Sequence, residues 1–361
     1  MKNKIAIVSV SGGKDSTATA ILAIDRYGKD GCQFVFADTG HEHPLTIEYL
    51  FGQFQDDLGV EVRTVRADLS ADIERKRQYV EKYWPEKLMT GRVGKWVLIS
   101  EDEGNSNTKP QEPIDPYKSA KYPGWEWFPT VKALSPEASE ARVKSALSAL
   151  RPTGIPFLDL CLVKGRFPSS RAQFCTAELK RRPIDSYMLS LIAEGKVPES
   201  WQGIRRDESR NRANALNRER SAEGWWIERP IIDWTAQQVV DFVRLRGVRL
   251  NPLYRLGSGR VGCWPCINIQ KNELLNNSKR WPDRIDIINE WERIVGDASL
   301  RGYSTFLYHK DAAGLPPEAA YSACNIKKMI EWARTSRGGN QFDLFRDSEP
   351  EICSSMYGMC E

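Results

Sequence analysis

The apolar run Ile5-Ala6-Ile7-Val8 has the length and β-branched content of a buried strand, and a polar, glycine-bearing stretch, Ser11-Gly12-Gly13-Lys14-Asp15-Ser16, follows it closely. From Thr17 to Tyr27 the period becomes helical, with Thr17, Ile21, Leu22 and Ile24 on one face and Gly28 as a stop signal. The alternation then repeats. Phe34-Val35-Phe36-Ala37 reads as a second strand ending at Asp38-Thr39-Gly40, and Pro44 opens a helix carrying Ile47, Leu50, Phe51, Phe54 and Leu58, closed by Gly59. Val60 to Val65 reads as a third strand. Two strand–helix–strand units in succession predict an α/β fold built on a doubly wound parallel sheet. In such sheets ligands bind beyond the C-terminal strand ends, so Gly12, Gly13 and Asp38 are expected to share one crevice.

The rhythm breaks between residues 84 and 156. Pro, Gly, Asn and Trp crowd together at Trp84-Pro85, from Gly104 to Pro113, and at Pro123-Gly124-Trp125-Glu126-Trp127, with the acidic cluster Glu101-Asp102-Glu103 among them. Only one short helix, near Glu137 to Leu150, is expected there, within an insertion that supplies substrate contacts or an interface. Further on, Thr235-Ala236-Gln237-Gln238 forms a capping box for a helix carrying Val239, Val240, Phe242 and Val243. The organisation predicted is a domain over residues 1–270 containing that insertion, then a mostly helical C-terminal region over 271–361 with a cysteine-bearing tail. Trp225, Trp226 and Trp264 are expected in the core rather than as base-stacking platforms.

Composition narrows the classes. The chain of 361 residues has room for one large domain or two ordinary ones, and no apolar run is long enough to span a bilayer. Met1-Lys2-Asn3-Lys4 leads straight into a strand without a signal-peptide core, so the expected location is cytoplasmic. The net charge of +4 is small, but residues 151–220 hold 14 Lys and Arg against 8 Asp and Glu. That local excess suits either a solvated face or a surface for phosphate-bearing substrates.

The 11–16 stretch carries the first candidate chemistry. A strand, a glycine turn and a helix N-terminus make an anion cradle, because paired glycines let backbone N–H groups approach phosphate oxygens and the helix dipole adds positive potential. Ser11 and Ser16 add hydroxyls, and Lys14 a charge. A Walker loop is excluded, since its first glycine would fall at Val8. Asp15, in the first helical turn, can contact Mg²⁺.

Eight cysteines without a secretory signal point to metal or redox chemistry before disulfides. Cys161, Cys175 and the pair Cys263-Trp264-Pro265-Cys266 form the candidate ligand set, with unligated buried cysteines as the alternative. An iron–sulfur cluster and structural zinc both suit four thiolates, and one tight pair with two distant singles disfavours a redox dithiol.

Several segments recur together in order: Ser11 to Ser16; Asp38-Thr39-Gly40-His41-Glu42; Phe174-Cys175-Thr176 with Lys180 and Pro183; and Gly203-Ile204-Arg205-Arg206-Asp207-Glu208-Ser209-Arg210. They continue with Pro230-Ile231-Ile232-Asp233-Trp234, Asn251-Pro252-Leu253-Tyr254, and Arg260-Val261-Gly262-Cys263-Trp264-Pro265-Cys266. Over residues 4–270 this resembles the phosphoadenosine phosphosulfate (PAPS) reductase superfamily of PP-loop proteins, with their adenine nucleotide alpha hydrolase-like, Rossmann-like fold. That superfamily includes sulfonucleotide reductases, the small subunit of ATP sulfurylase and the DndC-type proteins of DNA phosphorothioation. The resemblance implies an ATP pyrophosphatase that cleaves between the α and β phosphates. Ser11, Gly12, Gly13, Lys14, Asp15, Ser16, Asp38, Thr39 and Gly40 would bind nucleotide, with Lys14, Asp15 and Asp38 in the catalytic roles. Lys180, Arg205, Arg206, Ser209 and Arg210 would take a phosphate or sulfate. It also implies a [4Fe–4S] cluster on Cys175, Cys263 and Cys266, with zinc as the alternative; Phe174 stands where iron–sulfur members have an adjacent cysteine, so Cys161 is taken as the fourth ligand, with Cys32 or Cys324 as fallbacks. The intact Lys14-Asp15-Ser16 favours ATP cleavage and sulfur transfer, with a nucleic acid or a sulfur-donor protein as partner and nucleic-acid thio-modification or phage defence as the setting. The alternatives are a reductase making sulfite from an adenylylated sulfur compound and a regulator that binds nucleotide without turnover. The tail lacks the reductase Glu-Cys-Gly signature but carries Cys353 and Cys360 as candidate redox thiols.

Overall fold

Strand β1 (Lys4–Ser9) sends alternate side chains into two layers: Ala6 and Val8 pack into one apolar cluster and Ile7 into another. Strand β2 (Cys32–Asp38) does the same, with Phe34 and Phe36 on the first face and Val35 on the second. Both strands are buried on both sides, which is why they read as continuous apolar runs. The computed structural model describes residues 4–91, 95–98, 125–128, 133–209, 212–308, 317–336 and 341–342.

Six strands form the main sheet. With β3 (Val62–Arg66), β6 (Val197–Trp201), β7 (Arg218–Arg220) and β8 (Trp226–Glu228), the order is β3-β2-β1-β6-β8-β7. All pairs are parallel except β7 with β8. Helices α1 (Lys14–Tyr27), α2 (Pro44–Phe51), α3 (Gln53–Leu58) and α8 (Ala236–Leu245) cover one face, and α7 (Arg182–Ala193) the other. This is the doubly wound α/β architecture read from the periodicity.

Two local readings need correction. The single helix expected from Pro44 to Leu58 is two, because Gly52 adopts a non-helical conformation between them. A Cβ at Gly52 would lie 2.9 Å from the Glu48 carbonyl oxygen, so only glycine fits this break. Conversely, Trp84-Pro85 does not interrupt the chain's regular structure. Helix α4 (Ser70–Thr90) runs through Pro85, held by Ile73, Val80, Trp84 and Leu88, whose side chains share one buried face. The carbonyl that Pro85 contributes is used by Ser139, whose hydroxyl donates to it.

The described parts of the insertion are more regular than its composition suggested, while Glu101-Asp102-Glu103, the stretch from Gly104 to Pro113 and Pro123-Gly124 lie outside the described residues. Strands β4 (Lys95–Leu98) and β5 (Trp125–Phe128) pair antiparallel, and α5 (Pro136–Ala149) starts at Ser135, whose side chain accepts from Ala138 N–H. A second body of helices comprises α4, α5, α6 (Pro156–Lys164), α9 (Lys271–Arg280), α10 (Pro282–Asp297) and α12 (Ile326–Ala333) around one core. Helix α11 (Pro317–Cys324) and the short pair β9 (Thr335–Ser336) and β10 (Gln341–Phe342) complete the described elements. Trp225 is buried in the layer beneath α7, while Trp226 lies between the guanidinium groups of Arg218 and Arg220. No described helix is long and apolar enough to cross a membrane.

Candidate functional site

The loop after β1 turns through Gly12 at φ +74°, a conformation glycine adopts without strain. A side chain there would also meet Thr46 at 2.7 Å. Gly13 precedes α1 and offers no side chain to cap it, so this start presents the positive dipole end of an anion site. The loop is braced from within. Ser16 donates to the Gly13 carbonyl at 2.9 Å and accepts from Ser11 N–H at 3.2 Å. It is braced from outside by Asn251, whose side chain donates to the Gly12 carbonyl at 3.2 Å and to Thr46 at 3.1 Å. The Tyr254 hydroxyl accepts from Lys14 N–H at 3.0 Å, and the Lys14 ammonium sits over the Tyr254 ring.

The neighbouring strand end supplies the opposite wall. Gly203, two residues beyond β6, runs so close to α1 that a Cβ would lie 2.6 Å from the Asp15 carbonyl oxygen. From this wall Arg205, buried, donates to both Asp15 and Asp207. Burial opposes the charge on Arg205, but the two carboxylates outweigh it and hold its pKa up. Lys14 Nζ is 3.3 Å from the other Asp15 oxygen, so Lys14, Asp15 and Arg205 form one chain of alternating charge. Arg212 stands close by; burial, Arg260 and Arg205 all lower its pKa while Asp15 opposes them. Glu208 pairs with both Arg212 and Arg260, the latter at 2.7 Å.

The remaining anion-site candidates divide. Arg206 directs its guanidinium to the Ala215 carbonyl and to Asp233, which fixes the 206–215 loop. Ser209 is exposed, and Arg210 lies outside the described residues. Lys180 is drawn elsewhere: its ammonium donates to Cys263 Sγ at 3.4 Å. At the end of β2, Asp38 accepts from Gly40 N–H at 2.7 Å and faces Arg66 at 3.4 Å. Thr39 donates through its hydroxyl and its amide to Glu42.

The cysteine turn stands against this second strand end. Glu42 and Cys263 form a β-bridge, His43 N–H donates to the Gly262 carbonyl at 3.0 Å, and Trp264 N–H donates to the His41 carbonyl at 2.8 Å. The four predicted ligands come from three places: Cys161 buried in α6, Cys175 just before a π-helical turn (Thr176–Arg181), and Cys263 with Cys266 in the turn. They are near enough to influence one another. Burial pushes Cys161 well up, with Cys175 adding to it, and Cys175 is in turn raised by burial and by Cys266. Burial pushes Cys263 up to about 12 against the pull of Lys180. The pKa of Lys180 is in turn raised, chiefly by Cys263 and with Glu42 adding to it, against the effect of its burial. Four thiols suit iron–sulfur or zinc ligation by type, but among the described residues no three metal-binding side chains converge as a formed metal site. The reserve candidates lie in cores, Cys32 on β2 and Cys324 among the helices, and Cys353 and Cys360 fall outside the described residues.

Several site residues carried no assigned role in the sequence reading: Asn251, Tyr254, Gly203, Arg212, Glu42 and Arg260. The quoted segments Asn251-Pro252-Leu253-Tyr254 and Gly203-Ile204-Arg205 contained the signal. What linear spacing lacked was the β1–β6 pairing, which brings residue 203 against residue 15.

The chain is 37% identical over its whole length to an uncharacterized 37.8 kDa protein from Escherichia phage 186, covering 98% of that protein. It is 40% identical over 99 residues to an adenosine 5'-phosphosulfate reductase of Streptomyces coelicolor, covering 26% of this chain and 37% of that enzyme. A PAPS reductase from Candida auris, solved with phosphate, aligns over 74% of this chain and 83% of its own at a TM-score of 0.36 and 14% identity. Residues 5–269 match the phosphoadenosine phosphosulfate reductase domain, and this chain belongs to that family.

Proposed function

We propose that this protein is a PP-loop enzyme that binds ATP with Mg²⁺ and cleaves it between the α and β phosphates to activate a substrate for sulfur chemistry. The observation that carries the reading is the Lys14–Asp15–Arg205 chain at the uncapped start of α1. Three functions needed for pyrophosphate release meet there. Backbone amides and Lys14 receive phosphate oxygens, Asp15 offers a carboxylate to Mg²⁺, and Arg205 with Arg212 and Arg260 supplies positive charge for a departing anion. Asp38 and Thr39, at the next strand end, border the same crevice and suit the nucleoside side. Cys161, Cys175, Cys263 and Cys266 would hold a [4Fe–4S] cluster or zinc, beside Lys180. When bound, a cluster would supply redox or sulfur-handling chemistry at the turn. The partner proposed is a nucleic acid as substrate or a protein that donates the sulfur.

The test is direct. The purified protein incubated with ATP and Mg²⁺ should yield AMP and pyrophosphate, and Lys14→Ala should abolish both. Unchanged nucleotide affinity in Lys14→Ala would overturn the assignment. A second reading, reduction of an adenylylated sulfate to sulfite, is favoured by the likeness to the Streptomyces coelicolor enzyme. Removing residues 350–361, which contain Cys353 and Cys360, separates the two. ATP cleavage should survive the truncation, whereas sulfite formation through a tail thiolate should not.

A further inference from the structure

Arg284 lies in the first turn of α10, beyond the segment that matches the family domain, yet its side chain reaches back into the cysteine turn. Its Nε–H donates to the Trp264 carbonyl at 2.8 Å, and its Nη2–H donates to His41 Nδ1. Because a guanidinium only donates, His41 Nδ1 must accept, which places the imidazole proton on Nε2. That Nε2–H then donates to the Pro265 carbonyl at 2.8 Å. Arg284 therefore holds both central carbonyls of Cys263-Trp264-Pro265-Cys266, one directly and one through His41. The ring that relays the second contact is locked in place: it stacks on Phe157 at 4.2 Å and packs against Trp291 and Phe306. The guanidinium itself lies over the indoles of Trp264 and Trp291.

We propose that Arg284 is a positioning residue for the cysteine turn, using His41 as its relay, so that the C-terminal helical body sets where Cys263 and Cys266 point relative to Lys180 and Cys175. The proposal rests on the reading above only in taking this turn as functional. Arginine is suited to the task because its planar fork presents donors from separate nitrogens in fixed divergence, whereas the lysine ammonium presents all of its donors from one atom on a flexible stem. The rest of the turn is held by backbone pairing with residues 41–43, so loss of Arg284 should loosen the 264–265 peptide without detaching the segment.

The experiment is residue-resolved thiol alkylation of the full chain, read by peptide mass spectrometry, for wild type, Arg284→Met and Arg284→Lys. Thermal melting of each variant checks that it is folded. Labelling of Cys263 and Cys266 should rise about tenfold or more in both variants, while buried Cys32, on the distant β2 core, keeps its wild-type rate. A uniform rise at all cysteines would mean general destabilisation and would overturn the proposal, as would unchanged labelling of Cys263 and Cys266 in a folded variant. Failure of both variants to fold would assign Arg284 to the core and equally end the positioning role. The measurement needs no ATP turnover, so loss of the pyrophosphatase reading would leave it intact, and its own failure would leave that reading standing.

Discussion

The crevice beyond β1 and the cysteine turn lie at neighbouring strand ends but are assembled on different terms. At the crevice, the loop after β1 carries its own conformation: Gly12, Gly13 and Ser16 define the turn, and contacts from Asn251, Tyr254 and Gly203 brace something already shaped. At the turn, almost nothing is local. Cys263 pairs with Glu42, is approached by Lys180, and is steadied through Arg284 of α10. A site shaped by short-range geometry tolerates distant change, whereas one held by remote side chains transmits it. The crevice should therefore fail only when its walls are touched, and the turn should respond to the helical body.

The largest effect expected comes from closing the crevice. Gly203→Val would drive a branched side chain into the Asp15 carbonyl, costing about 3 kcal/mol of stability and at least tenfold in ATP affinity, as read by thermal melting and calorimetry. A folded variant with wild-type affinity would break the comparison on the crevice side. Next is the turn: if Cys161, Cys175, Cys263 and Cys266 hold a cubane, anaerobically prepared wild type should carry roughly four iron atoms per chain, and Cys266→Ser should remove most of them, by iron and sulfide analysis. Stoichiometric zinc in colourless wild-type protein would replace the cluster with a structural metal.

A pH effect of about 2–3 kcal/mol belongs to the helical body. Glu292 on α10 is buried and accepts from Phe306 N–H and Ile326 N–H; burial outweighs both contacts and raises its pKa to about 7. The folded state then binds more protons than the unfolded one between about pH 4.5 and 7. Its contribution to stability is complete below that window and is lost as pH rises through it. Glu292→Gln should accordingly be most destabilised relative to wild type near pH 4.5, with the gap narrowing toward pH 7 in melts across the range. A constant gap would show that the carboxyl does not titrate in this window. The smallest effect is Thr235→Ala, which removes the capping box of α8 and should cost about 1 kcal/mol while ATP affinity stays unchanged.

The same contrast explains what could be read in the linear sequence. The first strands, α1 and the 11–16 loop announce themselves through periodicity and glycine placement, because their structure depends on neighbours in the chain. The split at Gly52 and the passage of α4 through Pro85 were not legible, since a helix that buries Trp84 and Leu88 in a shared core overrides the local preference of proline. Arg205 was readable as an anion-binding candidate. That it holds Asp15 depends on β1 pairing with β6, and no spacing rule encodes that. Arg284 carried no signal, as a lone arginine in an amphipathic helix resembles any solvated charge.

The pairing of Lys4 with Val197 has a consequence for how the protein is made. The first strand leaves the ribosome long before the strand that walls its loop has been translated, so the anion cradle spends most of synthesis with one side open. Contacts between segments this far apart in the chain form slowly, because a large loop must close before they are rewarded. Nascent chains halted before residue 197 should not retain nucleotide, and chains extended past residue 260 should begin to do so. Competence for ATP would then appear abruptly, as a property of a chain extended past residue 260 rather than of the 11–16 motif.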